Sequence, residues 1–171
     1  MKSKIFAIAL VASGTAVGYS NLSIADEICY DVGGSLTTEN ITPALQLGNM
    51  TLTLSYGATG EVFSETGSLV GNITDDSQAG FGRTVLSHKA RFPQGDSFVT
   101  DGDVAQIVGL IAFDNGVPCG FAIDEKITDI PKGTGLFKNV TSVDVTALGT
   151  VYNCPGVNEN SFELSGTLCV E

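Results

Sequence analysis

Tryptophan is absent from the 171 residues, histidine occurs once, methionine twice, and basic side chains number 8 against 19 acidic ones. So little positive charge argues against a nucleic-acid platform, which meets phosphate through Lys and Arg, and the missing tryptophan removes a strong stacking group. The chain holds no unbroken run of the ~20 apolar residues that a membrane-crossing helix requires. No Cys-x-x-Cys pair occurs, and His88 is far in sequence from every cysteine, so a zinc site built on thiolates is disfavoured. No Gly-x-Ser-x-Gly elbow supports a serine nucleophile. The Gly133-Thr134-Gly135 stretch opens a strand pattern rather than a helix, which removes the helix N-terminus that cradles phosphate. Sustained helical periodicity is missing after the first residues.

The N-terminus carries an address. Lys2 and Lys4 precede the apolar run Ile5 to Ala12, and Ser23-Ile24-Ala25 supplies the small residues that a signal peptidase accepts. A cleaved signal over residues 1–25 is expected, with one domain over 26–171. Its removal takes two lysines and no acid, so the mature charge is −13, from 19 acidic and 6 basic groups. Such a surface favours solubility and disfavours anionic partners. A secreted or periplasmic protein follows, with no membrane span in the mature chain.

Alternation dominates what remains. In the segment 49–56, Met50, Leu52, Leu54 and Tyr56 fall on one face, and Thr51, Thr53 and Ser55 on the other. Similar patterns predict strands over 27–33, 61–73, 82–92, 97–113, 117–128, 135–154 and 161–170, the fifth of these segments in chain order bending at Gly102 or Gly109. Turn signals such as Asp114-Asn115-Gly116 separate them. Eight strands joined by hairpins predict an all-β fold, an eight-stranded antiparallel meander β-barrel, in which the 21 glycines serve sharp bends.

Four cysteines after a signal predict two disulfides, with three possible pairings. Cys29 lies on the polar parity of the first strand and Cys169 on that of the last. In a closed ring of even strand number these strands are antiparallel neighbours, so the start of one meets the end of the other. This favours Cys29–Cys169, and Cys119–Cys154 follows by elimination.

The segment "GTGLFKNVTS" (133–142), with "GSLVGNIT" (67–74) upstream, resembles the barrel shared by allene oxide cyclases and plant dirigent proteins. The resemblance extends over roughly residues 60–170. It implies an eight-stranded barrel and, as one function, a cyclase or isomerase, or a stereochemical guide, that orients a reactive intermediate inside it. The four cysteines and short glycine-rich loops depart from the plant proteins. No catalytic residue of either family maps onto a position here.

Four sets of side chains are candidates for function. His88 shares parity with Leu86, Ala90 and Phe92, which allows it to face the interior as an acid or base; the alternatives are a hydrogen-bonded structural histidine and one at the rim. Glu125 shares parity with Phe121, Ile123 and Ile127, and among apolar groups its pKa would rise unless it sits at a wet strand end. Asp101 and Asp103, with Asp96 nearby, are predicted to project from one side of a strand, either as a calcium site or as solvated acids, and the acidity of the whole chain favours the latter. The expected ligand wall is Met50, Leu52, Leu54, Tyr56, Phe137, Val143 and Val145. No metal and no cofactor is expected. The leading reading is binding of a small apolar molecule or a scaffold role; a cyclase inside the barrel and a structural extracellular protein are the alternatives.

Overall fold

From Ile28 onward the chain is a succession of extended segments whose β-branched and aromatic residues alternate with Ser, Thr, Asp and Glu. The computed structural model describes residues 27–171, so the expected signal over 1–25 lies outside the described residues. The strands are β1 (Ile28–Thr42), β2 (Leu45–Tyr56), β3 (Glu61–Asp75), β4 (Arg83–Arg91), β5 (Ser97–Val99), β6 (Asp103–Asp114), β7 (Val117–Ile127), β8 (Lys132–Thr134), β9 (Val140–Tyr152) and β10 (Glu159–Val170). All pairings are antiparallel. Among the described residues, no helix is long and apolar enough to cross a membrane.

Eight of these strands bond in a closed ring, in the order β1-β2-β3-β4-β6-β7-β9-β10 and back to β1. The ring follows the chain order of these eight strands, with longer connections from β4 to β6 and from β7 to β9. Closure pairs the ring strands on both sides over part of their length, while Glu61–Gly67 of β3 and Val108–Asp114 of β6 pair on one side only. The two short strands are excursions: β5 pairs with the end of β4, and β8 pairs with β5.

Several boundaries differ from the sequence reading. The first strand continues to Thr42, because Ser35–Glu39 pairs with both β10 and β2, and Asn40 and Thr42 with β2, although the sequence is mostly polar. The predicted strand 97–113 is divided at Thr100–Gly102, where Gly102 takes φ +74° and breaks the alternation. The predicted strand 135–154 begins instead at Val140, after a 3₁₀ turn at Gly135–Phe137. Two glycines are required there. A Cβ on Gly133 would stand 2.0 Å from the carbonyl oxygen of Phe137, and Gly135 combines φ +60° with the carboxylate of Asp96 pressed against it.

The turn delivers Phe137 into the interior at 1% exposure. Its ring lies 4.9 Å from Phe98 and 5.9 Å from Phe92, and this cluster packs on Val32, Leu54, Val143 and Leu168. Pairing puts the start of β1, the end of β2, the start of β9 and the end of β10 at this same end of the ring. One end is therefore closed by apolar packing. The cavity left there measures about 30 Å³ and is lined only by apolar residues, space for no more than one or two waters.

Candidate functional site

The expected ligand wall sits at that closed end. Met50, Leu52, Leu54, Phe137, Val143 and Val145 are buried and line the small cavity, while Tyr56 is half-buried against Tyr30. The interior space lies at the opposite end. A cleft of about 280 Å³ is lined by Ile73, Leu86, Ile107, Phe121, Val151 and Phe162, with Gln46, Glu125 and Asn153 as its larger polar groups. That volume approaches the lower end of the ~300 Å³ and upward typical of small-molecule sites. The larger space lies away from these residues because β5, β8 and the Phe137 turn plug one end only, a feature that alternation along β2 and β9 does not encode.

Between the plug and the cleft lies a polar cluster carried by three neighbouring ring strands. His88 on β4, Asp103 at the start of β6 and Glu125 on β7 are 7%, 0% and 6% exposed. The pairings Leu86↔Asp103 and Ala105↔Glu125 bring them together. His88 Nδ1 lies 2.8 Å from Asp103 Oδ2 and 3.4 Å from Glu125 Oε1. The Thr100 hydroxyl donates to Asp103 Oδ2 and accepts from the backbone N–H of His88. Asp103 Oδ1 and Glu125 Oε1 have no hydrogen-bond partner although both are buried. Glu125 is the member that lines the cleft.

Burial opposes charge on His88, but its hydrogen bond to Asp103 and the negative fields of Glu125 and Asp103 prevail, so its pKa stands above the ordinary imidazole value. Burial raises the Glu125 carboxyl; His88 offsets part of that rise and Asp103 adds to it.

Strand parity allowed His88 and Glu125 an inward position, with the rim and a wet strand end as the alternatives, and the structure buries both in one cluster. Asp101 and Asp103 do not form the expected pair: Asp101 is exposed and Asp103 fully buried. The Gly102 turn separates them, so Asp103 begins a new strand with its own parity. Asp103 was not legible as an interior group, because its position depends on that turn, whereas Thr100 continues the parity of buried Phe98.

A second polar group edges the cleft. Asn160 is fully buried; its Nδ2 donates to Thr38 Oγ1 at 3.2 Å and to Asn40 Oδ1 at 2.9 Å, and its Oδ1 accepts from the Tyr152 amide at 3.0 Å. Gln46 Nε2 donates to Asn40 Oδ1 as well. These amides tie β1, β2, β9 and β10 together around the cleft.

The two disulfides, Cys29–Cys169 and Cys119–Cys154, leave no free cysteine among the described residues. No protein-family model matches this chain, and no curated protein or solved structure compared with it matches either. What the fold and site define is a disulfide-bonded, all-β protein with an interior cleft and a buried His-Asp-Glu cluster beside it.

Proposed function

We propose that this is a secreted or periplasmic barrel protein whose ring binds one small, largely apolar molecule in the cleft at the end opposite the Phe137 turn. The observation that carries this reading is the contrast between the ends of the ring, one filled to about 30 Å³ and the other holding about 280 Å³ behind apolar walls. Glu125, Gln46 and Asn153 offer the few polar contacts that orient a ligand in such a site. At the lip, Phe81 is 86% exposed in a turn whose neighbours Ala79 and Gly82 line the cleft, which gives an apolar molecule a first contact. Two disulfides support an oxidising compartment.

Catalysis inside the barrel is the second reading, and the His88–Asp103–Glu125 cluster favours it. A cleft that fixes an apolar substrate and presents one carboxyl group supplies orientation together with a polar reacting group. A cyclase or isomerase of the allene oxide cyclase or dirigent kind belongs here, and the sequential ring of eight strands agrees with that resemblance.

Native mass spectrometry of the protein secreted by its own host tests the binding reading. A single retained organic mass, released on denaturation and lost when Ala105 in the cleft wall is replaced by Trp, is expected. A protein that carries no organic mass and takes up none from an extract of host small molecules contradicts it.

A further inference from the structure

The polar cluster raises a question of charge that the ligand reading does not answer. Two carboxylates and one imidazole are buried together, and the only cationic group within ion-pair reach of Asp103 or Glu125 among the described residues is His88 itself. No Lys or Arg compensates them. Two of their oxygens, Asp103 Oδ1 and Glu125 Oε1, form no hydrogen bond, in side chains that are 0% and 6% exposed, and Glu125 Oε1 has only the 3.4 Å approach of His88 Nδ1. Buried, unpaired carboxylate oxygens are costly, and such groups are ordinarily paired or coordinated to a metal.

We infer that His88, Asp103 and Glu125 form a binding site for one first-row divalent metal ion, with an open coordination position facing the cleft.

The distances fit. Donors held at about 2.1 Å from a metal stand about 3.0 Å apart in an octahedral set and about 3.4 Å apart in a tetrahedral one. The observed edges are 2.8 Å from His88 Nδ1 to Asp103 Oδ2 and 3.4 Å from the same nitrogen to Glu125 Oε1. All three donors lie within 4.8 Å of one another, so a modest movement of the carboxylates completes the set. A neutral imidazole, two carboxylates and a divalent ion sum to zero charge, which removes the imbalance.

The surroundings suit a metal as well. Thr100 holds Asp103 by its hydroxyl, an outer contact of the kind that orients metal ligands. The opposite edge of the imidazole rests on Gly71, where a Cβ would come within 2.9 Å of Nε2, so the ring cannot swing to that side. Mixed nitrogen and oxygen donors select zinc, manganese or iron(II) over calcium, which prefers six or more oxygens. Three protein ligands with a vacant position are the pattern of a catalytic rather than a structural site. Glu125 lines the cleft, so that position opens where a ligand would lie.

The site does not depend on the ligand reading, and the test separates them. The untagged mature protein is stripped with chelator and titrated with Zn²⁺, with no organic ligand present. The chain has a single histidine, so its imidazole proton signals report one residue. One equivalent of Zn²⁺ is expected to shift those signals, and Mn²⁺ to broaden them selectively. Asp103→Asn and Glu125→Gln should each weaken Zn²⁺ binding by more than the about 10–100-fold that loss of an outer-shell partner costs, and Thr100→Ala by about that amount. If zinc binds only to exposed acids, the histidine signals stay in place while other signals move, and the inference fails. It fails equally if no zinc binds. Should a variant not fold, the Mn²⁺ broadening in the unaltered protein decides alone.

Discussion

Cys29 on β1 stands directly opposite Cys169 on β10, and their sulfurs are bonded across the line where the first and last strands of the ring meet. The bond lies on the outward face, beside Asp31 and Thr167. It closes a stretch of 140 residues, against 35 for Cys119–Cys154. By the chain-entropy relation the longer closure is worth about 5 kcal/mol and the shorter about 4. Replacing Cys29 and Cys169 together by Ser should therefore lower stability more than replacing Cys119 and Cys154, by about 1 kcal/mol in urea unfolding. An equal or inverted order would show that ring closure by hydrogen bonds, rather than the sulfur bond, fixes the seam.

Gly135 and Asp96 form a second dependent pair. Asp96 Oδ1 accepts from the Leu136 amide at 3.3 Å, in the space where a Cβ on Gly135 would stand. Gly135→Ala adds left-handed strain of about 1–2 kcal/mol to that clash. The variant should lose well over 2 kcal/mol. Adding Asp96→Ala should recover the clash but not the strain. Full recovery in the double variant would mean that φ +60° costs alanine nothing at this turn.

Gly71→Ala should disturb the polar cluster without altering any of its members. The new methyl would sit 2.9 Å from His88 Nε2 and 3.0 Å from Cδ2, and a ring already bonded to Asp103 has little freedom to yield. A loss of about 1–3 kcal/mol is expected, as for overpacking elsewhere, together with a displaced imidazole signal. Unchanged histidine resonances would show that the ring is held less tightly than its contacts imply.

Asn160→Ala removes the acceptor of the Tyr152 amide and the donor to Thr38 and Asn40 in one step. Leaving a buried amide unpaired costs about 1–3 kcal/mol, and the cavity adds to it. The loss should exceed that of Asn158→Ala, whose exposed bonds with Asn40 can be replaced by water.

Much of the ring was written in alternation. On β2, Met50, Leu52 and Leu54 are buried while Thr51, Thr53 and Ser55 face outward, as period-two burial requires. The preference for Cys29 with Cys169 came from parity plus closure, and the bond stands there. His88 and Glu125 were legible as inward groups because their strands keep parity through Leu86–Ala90 and Ile123–Ile127. Asp103 was not, since its position is set by the Gly102 turn, a backbone event that a period-two pattern cannot carry. The cleft was also hidden. Which end of a ring is filled depends on where β5, β8 and Phe137 fold back, and no local pattern records that. The polar half of β1 was missed because Thr38 and Asn40 face amide partners rather than apolar ones.

The central claim is that the ring has one filled end and one receptive end, and a neutral naphthylamine dye tests it most directly. Fluorescence titration should give one site, weakened at least about ten-fold by Ala105→Trp in the cleft, because the indole occupies much of a space near the lower limit for small-molecule sites. Val145→Ala at the packed end should leave that binding intact. Dye binding that ignores Ala105→Trp, or that responds to Val145→Ala instead, would place the receptive space elsewhere and contradict the account.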